Sequence, residues 1–341
     1  MEIQGPLPAN IHLHFVPSLV PFSNLKPLEY AGRVRILLER LRRQGTIDLI
    51  HQLNPVELGL SALLTGTHIP LILGLFVPSW PDHAEISDRL SLPRKLVVGC
   101  SGWLMKQLDR HEQRHARAFL LSTPAAASRL YDPANAKDRI HVLPYGIDAD
   151  CYAPVDPENW SSQEPTILYL AHLSRRKGIF TLLEAFPKVA RELPNAGLTI
   201  AGSGSEAGAV RNLIDQMACR DRITLLGSID RPQVSRTMQQ CTVYCLPSYG
   251  EPFGMSALEA MACGKPVVGT DAGGLAYLIT DPGGRKVPPG DADALAQALI
   301  EILTSPDLQR QMGRFNRQQV EEIYSWERVI DRLELLYYSV C

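Results

Sequence analysis

The sequence has no excess of basic charge: 34 Lys and Arg stand against 36 Asp and Glu, a formal net charge of -2. A surface that neutralises a phosphate chain needs a basic field, so nucleic acid is a poor partner and any phosphate site has to be local. Metal-ligand pairs of cysteine are also lacking. The seven cysteines, at 100, 151, 219, 241, 245, 263 and 341, are odd in number, and Cys241 and Cys245 fall on one apolar strand pattern. They read as reduced thiols in a cytosol, with no metal site expected. No signal peptide opens the chain and no uncharged apolar run approaches the length a bilayer requires, so the expectation is a soluble, cytoplasmic protein.

What is present is enough apolar side chain, 45% of 341 residues, for a core in each of two domains. From Asp48 onward strands alternate with helices, the signature of a parallel, doubly wound α/β sheet. The expected strands are 48–53, 69–76, 95–100, 118–122, 139–143, 166–170, 197–201, 223–226, 242–246 and 266–268. Helices are expected at 57–64, 102–115, 124–130, 180–193, 206–217, 232–240, 255–264, 291–303 and 306–323, with a final amphipathic one from Ser325. Before Asp48 there is one short strand, Ile11–Val16, and a helix over Leu28–Gln44. The glycines and prolines of 281–291 read as a tight turn.

The richest stretch is Ser248–Gly274, S-Y-G-E-P-F-G-M-S-A-L-E-A-M-A-C-G-K-P-V-V-G-T-D-A-G-G. An apolar strand ends at Pro247, Gly250 breaks the backbone, and a helix begins at Met255. Glu251 is therefore placed at a strand's carboxyl end and Glu259 about two turns into the helix. That edge of an open α/β sheet is where ligands bind, and the helix-start amides from Gly254 to Ser256 suit an anion. Carboxylates repel phosphate, so two of them beside such amides suggest acceptors for hydroxyl groups, a sugar on one side and a ribose on the other. The plain alternative is a helix cap and a solvated glutamate.

The string resembles the E-x7-E signature of the retaining glycosyltransferases of family four, which carry two Rossmann-like domains facing a cleft, the GT-B fold. The resemblance runs from about Asp48 to Trp326. It implies an acceptor-side domain over 1–153, a nucleotide-sugar donor domain over 154–325 and a C-terminal helix, 326–341, packing back on the first domain. It also implies that Glu251 holds donor-sugar hydroxyls and Glu259 the ribose, while Phe253, Gly254, Met255 and Ser256 position the donor. Lys177, in R-R-K-G after a strand, matches the family's diphosphate-binding lysine and is taken with Glu251 as catalytic. Arg175 or Arg176 could assist it, and Gly202 and Gly204 would let a nucleotide approach the backbone. The family's usual account is a front-face substitution in which the leaving phosphate receives the acceptor proton. No metal or other cofactor is implied.

Several positions depart from the family. His172 stands where an arginine is usual, Tyr145 replaces asparagine in P-Y-G-I-D, and Tyr277 replaces the glutamate of G-G-x-x-E. Phe76 falls where relatives often carry a histidine facing the sugar, a role that Asn54, His51 or His83 would have to assume. The leading expectation is transfer of a sugar from a nucleotide-diphosphate sugar to a carbohydrate or lipid-linked hydroxyl. The alternative is a non-catalytic nucleotide-sugar-binding or partner protein with a degenerate first domain. A sugar-phosphate phosphorylase lacks any cofactor-lysine signal. The arginines from Arg33 to Arg43 could rest on an anionic membrane, although an ordinary surface helix shows the same pattern and is preferred. No glycine-rich phosphate loop precedes Asp48, so the first domain is expected to be incomplete and Met1 an internal start.

Overall fold

The computed structural model describes residues 10–12, 14, 16, 26–45, 47–53, 64, 66–78, 106–154 and 164–341. Two compact units form: one from 1–74, 87–119 and 340–341, the other from 75–86 and 120–339.

Strands β1 (Ile50–Leu53), β2 (Leu71–Phe76), β3 (Ala118–Leu121) and β4 (Ile140–Val142) form a sheet in the order β1-β2-β3-β4, with Ile50 opposite Leu71 in parallel register. Helix α1 (Lys26–Arg42) buries Ala31 and Leu38, and its Arg33 and Arg35 pair with Glu29 and Glu39 at 2.9 and 3.1 Å, one turn away. Helix α2 runs through 106–115. The helix expected at 57–64 and the strand at 95–100 lie outside the described residues, apart from Leu64 in a 3-10 turn. The strand expected at Ile11–Val16 lies partly outside them, and residues 11, 12, 14 and 16 are in no strand.

The second sheet contains β5 (Thr166–Leu170), β6 (Gly197–Ala201), β7 (Ile223–Gly227), β8 (Val243–Leu246), β9 (Val267–Thr270) and β10 (Gly284–Val287). Its order, β10-β9-β8-β5-β6-β7, is all parallel and reverses direction between β5 and β8. This is the doubly wound order, and the reversal opens a crevice at the carboxyl ends of β5 and β8. Helices α3 (Ile179–Glu192), α4 (Ala207–Asp215), α5 (Arg231–Gln240), α6 (Met255–Ala262), α7 (Gly273–Leu278), α8 (Ala292–Leu303), α9 (Pro306–Gln319) and α10 (Trp326–Val340) complete the chain. The strands buried on both faces are continuous apolar runs: Val243 to Leu246 are all at most 1% exposed.

Three elements differ from the expectation. The segment from Pro124 is a 3-10 helix, Pro124–Arg129, whose Thr123 side chain provides no cap; so short a turn lacks the length that stabilises an α-helix. The turn expected over 281–291 holds strand β10, because its backbone pairs with the otherwise open edge of β9. The last helix before Ser325 is α-helical only to Gln319. It then widens into a π turn, Val320–Tyr324, closed by a 2.7 Å bond from Ser325 N to Val320 O. From there Ile147 N bonds Tyr324 O and Trp326 N bonds Ile147 O, at 2.8 and 3.1 Å.

Candidate active site

Strands β5 and β8 are direct neighbours, with Ile167 opposite Val243, so the loops that follow them meet at the sheet's reversal. After β5 a single 3-10 turn, Arg175–Lys177, ends at Gly178 with φ 74°. A Cβ at Gly178 would collide with the Pro247 carbonyl beyond β8, so glycine there serves both the left-handed backbone and the close approach of the loops. The Arg176 carbonyl accepts from Tyr249 N at 2.9 Å and Ser248 Oγ at 3.1 Å. Thr270 Oγ1, at the end of β9, donates to Ser248 O at 2.5 Å. These bonds fix where Lys177 and Glu251 emerge.

Lys177 Nζ lies 2.5 Å from Glu251 Oε2, and both side chains are largely shielded, at 16% and 10% exposure. The structure brings the two together. The sequence did not indicate that each would be the other's partner. The E-P-F-G loop rests on the glycine pair that opens α7: Gly274 N donates to Glu251 O at 2.5 Å, and a Cβ on Gly273 or Gly274 would enter the backbone of Glu251 or Phe253. The Phe253 ring is 2% exposed and stands edge-on to Tyr145 and Tyr324, with centroids 5.2 and 6.3 Å away. It anchors the loop in the core. Tyr145, the substitution for asparagine, supplies one wall of that anchor.

Gly254, at φ 103°, turns the chain into α6. The first amides of that helix, through Ser256, have no intrahelical acceptor and carry the positive end of its dipole. Tyr244 Oη bridges the end of β5 to this turn, 3.0 Å from Leu170 O and 2.6 Å from Ser256 Oγ. The Ser256 hydroxyl is therefore engaged within the protein. Glu259 is just over one turn into α6, not two, because it lies only four residues past the helix start at Met255. Burial raises its carboxyl above the ordinary range, while a hydrogen bond from Tyr152 and the charge of Arg231 oppose the shift. Tyr152 Oη donates to Glu259 Oε1 at 3.0 Å, a contact across 107 residues that nothing in the sequence signalled. Burial, then the Glu259 charge, holds the Tyr152 phenol well above its usual value, so it stays a donor. Glu259 lines a cavity of about 550 Å3 together with Asp148, Tyr152, Arg231, Met255 and Trp326.

The other expected residues are distributed around this centre. His172 is exposed just past β5. Arg175 is held at 3.5 Å from Glu206 and packs over Phe180, while Arg176 is exposed beside Lys177. Gly202 and Gly204 do allow close approach, but to the chain itself: a Cβ at either would strike the backbone of Ala171 or Leu173. Tyr277 is half-buried against the core, its phenol raised by burial. In the first sheet Phe76 is 3% exposed. His51 Nε2 is 3.0 Å from Gly74 O, and burial lowers that ring's pKa. Asn54 and His83 lie outside the described residues. Among the described residues no cluster of His, Cys, Asp or Glu could hold a metal ion, and no helix is long and apolar enough to cross a membrane.

Residues 155–319 match the family described as "Glycosyl transferases group 1". The chain is 30% identical over 203 residues to the phosphatidylinositol N-acetylglucosaminyltransferase gpi3 subunit of Schizosaccharomyces pombe, covering 60% of this chain and 44% of that protein. It is 31% identical over 207 residues to the GDP-mannose-dependent monoacylated alpha-(1-6)-phosphatidylinositol monomannoside mannosyltransferase of Corynebacterium glutamicum, covering 56% and 54%. The chain thus spans about half the length of these relatives. Anabaena HepE in complex with UDP superposes with a TM-score of 0.73 at 19% identity, covering 92% of this chain and 84% of that one. The doubly wound second sheet and these likenesses agree: residues 155–319 match the group 1 glycosyltransferases, and the fold is that of the GT-B glycosyltransferases.

Proposed function

We propose that this chain is a retaining hexosyltransferase that moves a sugar from a nucleotide-diphosphate sugar to a hydroxyl of a carbohydrate or lipid-linked acceptor. The observation that carries this reading is the Lys177–Glu251 pair at the sheet reversal, beside the start of α6. An ion pair shielded from water and opening onto a ligand edge can be exchanged part by part for a ligand that offers an anion and a hydroxyl group. The donor diphosphate takes the Lys177 ammonium and the amides from Gly254 to Ser256; Glu251, released, accepts from hydroxyls of the sugar. Glu259 accepts from the ribose. As the glycosidic bond breaks, the charge on the leaving diphosphate grows, and Lys177 and the amides stabilise it more strongly than in the ground state. The leaving phosphate takes the acceptor's proton on the same face, which retains configuration, and no resident cofactor enters.

In this reading 154–325 is the donor domain, 1–153 the acceptor side and 326–341 a returning helix. The two curated relatives both carry phosphatidylinositol in their names, which supports a lipid-linked acceptor. A peripheral membrane contact through α1 is the less supported part, since Arg33 and Arg35 are already paired with glutamates. Incubating the chain with UDP-, GDP- and ADP-sugars and following release of free sugar and its anomeric configuration by NMR tests the assignment. Slow, retaining hydrolysis of one donor is expected.

A second reading, a nucleotide-sugar-binding protein without transfer, is favoured by the buried phenyl of Phe76 and by His51 being bonded to Gly74. Tight nucleotide binding with no turnover of any donor would select it.

A further inference from the structure

Glu259 sits on a helix with a long, rotatable side chain, and a carboxylate that must meet a rigid diol gains from being held in one orientation. Being acceptor-only, it can be held only by a donor. The donor present is Tyr152, on a segment whose backbone is fixed from several sides. Ser235 Oγ donates to Cys151 O at 2.9 Å and Gln239 Nε2 to Ala153 O at 2.7 Å, both from α5. Arg317 Nη1 from α9 donates to Ala149 O at 2.8 Å. Asp148 Oδ1 accepts from the amides of Asp150 and Cys151 at 3.2 and 3.1 Å, closing the turn. Tyr152 is thus presented by an ordered backbone, and its own side chain has few torsions left to restrict. Glu259 Oε1 is taken by this bond, whereas Oε2 makes no hydrogen bond with any described residue, and Glu259 lines the cavity beside Arg231 and Trp326.

We propose that Tyr152 is a positioning residue for the donor nucleotide: it holds one oxygen of Glu259 so that the carboxylate presents its other oxygen to the ribose hydroxyls. The proposal rests on reading Glu259 as the ribose acceptor. It assigns to the segment before the second sheet a part in nucleotide affinity, exercised through Glu259 and not through contact with the reacting atoms.

The test measures affinity by calorimetry for UDP, GDP and ADP, and then for the 2′,3′-dideoxy analogue of the one bound tightest, which lacks the diol. The wild-type chain should prefer the ribonucleotide by about tenfold or more. In Tyr152→Phe that preference should fall to about 2- to 3-fold, with the dideoxy affinity within about twofold of wild type and an unchanged circular-dichroism spectrum. In a Glu259→Gln background, adding Tyr152→Phe should change nothing further. Equal losses for both nucleotides, or an unchanged preference, would overturn the role of Tyr152 while leaving Glu259 in place. A wild-type chain that binds none of the three nucleotides, or binds ribo and dideoxy forms alike, would overturn the reading of Glu259 and this inference with it.

Discussion

The carboxyl ends of two buried parallel strands behave in opposite ways. Beyond β8, apolar packing gives way at once to Ser248, Glu251 and the Lys177 ammonium, held by a lattice of backbone bonds. At the end of β2, Phe76 stays in the core and the neighbouring His51 is tied to Gly74 O. Both strands satisfy the same rule for buried strands, so burial alone does not make a ligand edge. The second sheet has in addition a reversal of strand order with a glycine on each side of it, Gly178 and Gly273, that lets loop backbones touch. Charged side chains meet where topology leaves a crevice and the loops are close enough to aim them into it.

The most severe test of this contrast removes the charge at the reversal. Because Glu251 is paired with a shielded lysine, alanine there would remove that ion pair and blur function with stability. Glu251→Gln keeps an acceptor for Lys177 and should still lower turnover by about 10²- to 10³-fold with an intact fold, read by donor hydrolysis and circular dichroism. Wild-type turnover would remove Glu251 from the site.

A second break targets the loop contact. Gly178→Ala has to fit a methyl group against the Pro247 carbonyl at a φ of 74°, and should cost on the order of 2–4 kcal/mol of unfolding free energy along with donor binding. Gly208, in α4, has open space around it, and Gly208→Ala should be neutral or slightly stabilising by the same denaturant melts. Equal effects at the two glycines would mean that the loop contact does not position the site.

Lys177→Ala sharpens the picture of what the pair holds. It should weaken a nucleoside diphosphate by about 1.5–3 kcal/mol and the monophosphate by clearly less, measured by calorimetry. Equal losses would show the lysine touching something other than the distal phosphate.

The smallest effect concerns Glu259, whose carboxyl burial pushes upward. A raised carboxyl is neutral in both folded and unfolded states at low pH; as pH rises the unfolded chain ionises first, so the folded state loses stability across the window between the two values. Glu259→Gln should therefore melt on the order of 1–2 °C above wild type at pH 8, with the difference vanishing on the acid side of the carboxylate range. A gap independent of pH would contradict the burial account.

How far the residues alone reached differs between these regions. For the second sheet, strand limits such as Thr166–Leu170 and Gly197–Ala201 were legible to the residue, because Pro165 opens the first apolar run and Gly202 closes the second. Strand β10 was missed because R-K-V between glycine and proline pairs carries no apolar pattern of its own; its order comes from the edge of β9. Tyr152 was missed because its meaning is a contact with a residue far along the chain.

By itself, then, the sequence determined the alternation of strands and helices, the carboxylates of the E-x7-E string and the lysine after β5, since periodicity, turn residues and charge type are local properties. Only the tertiary structure decided that β5 and β8 adjoin, that Lys177 and Glu251 neutralise each other, that Gly202 and Gly204 press on their own chain and that Glu259 has a phenol for a partner. Each of these depends on distances between segments far apart in the chain. Such distances are set by the summed packing of the sheet and its helices, which no short window of residues contains.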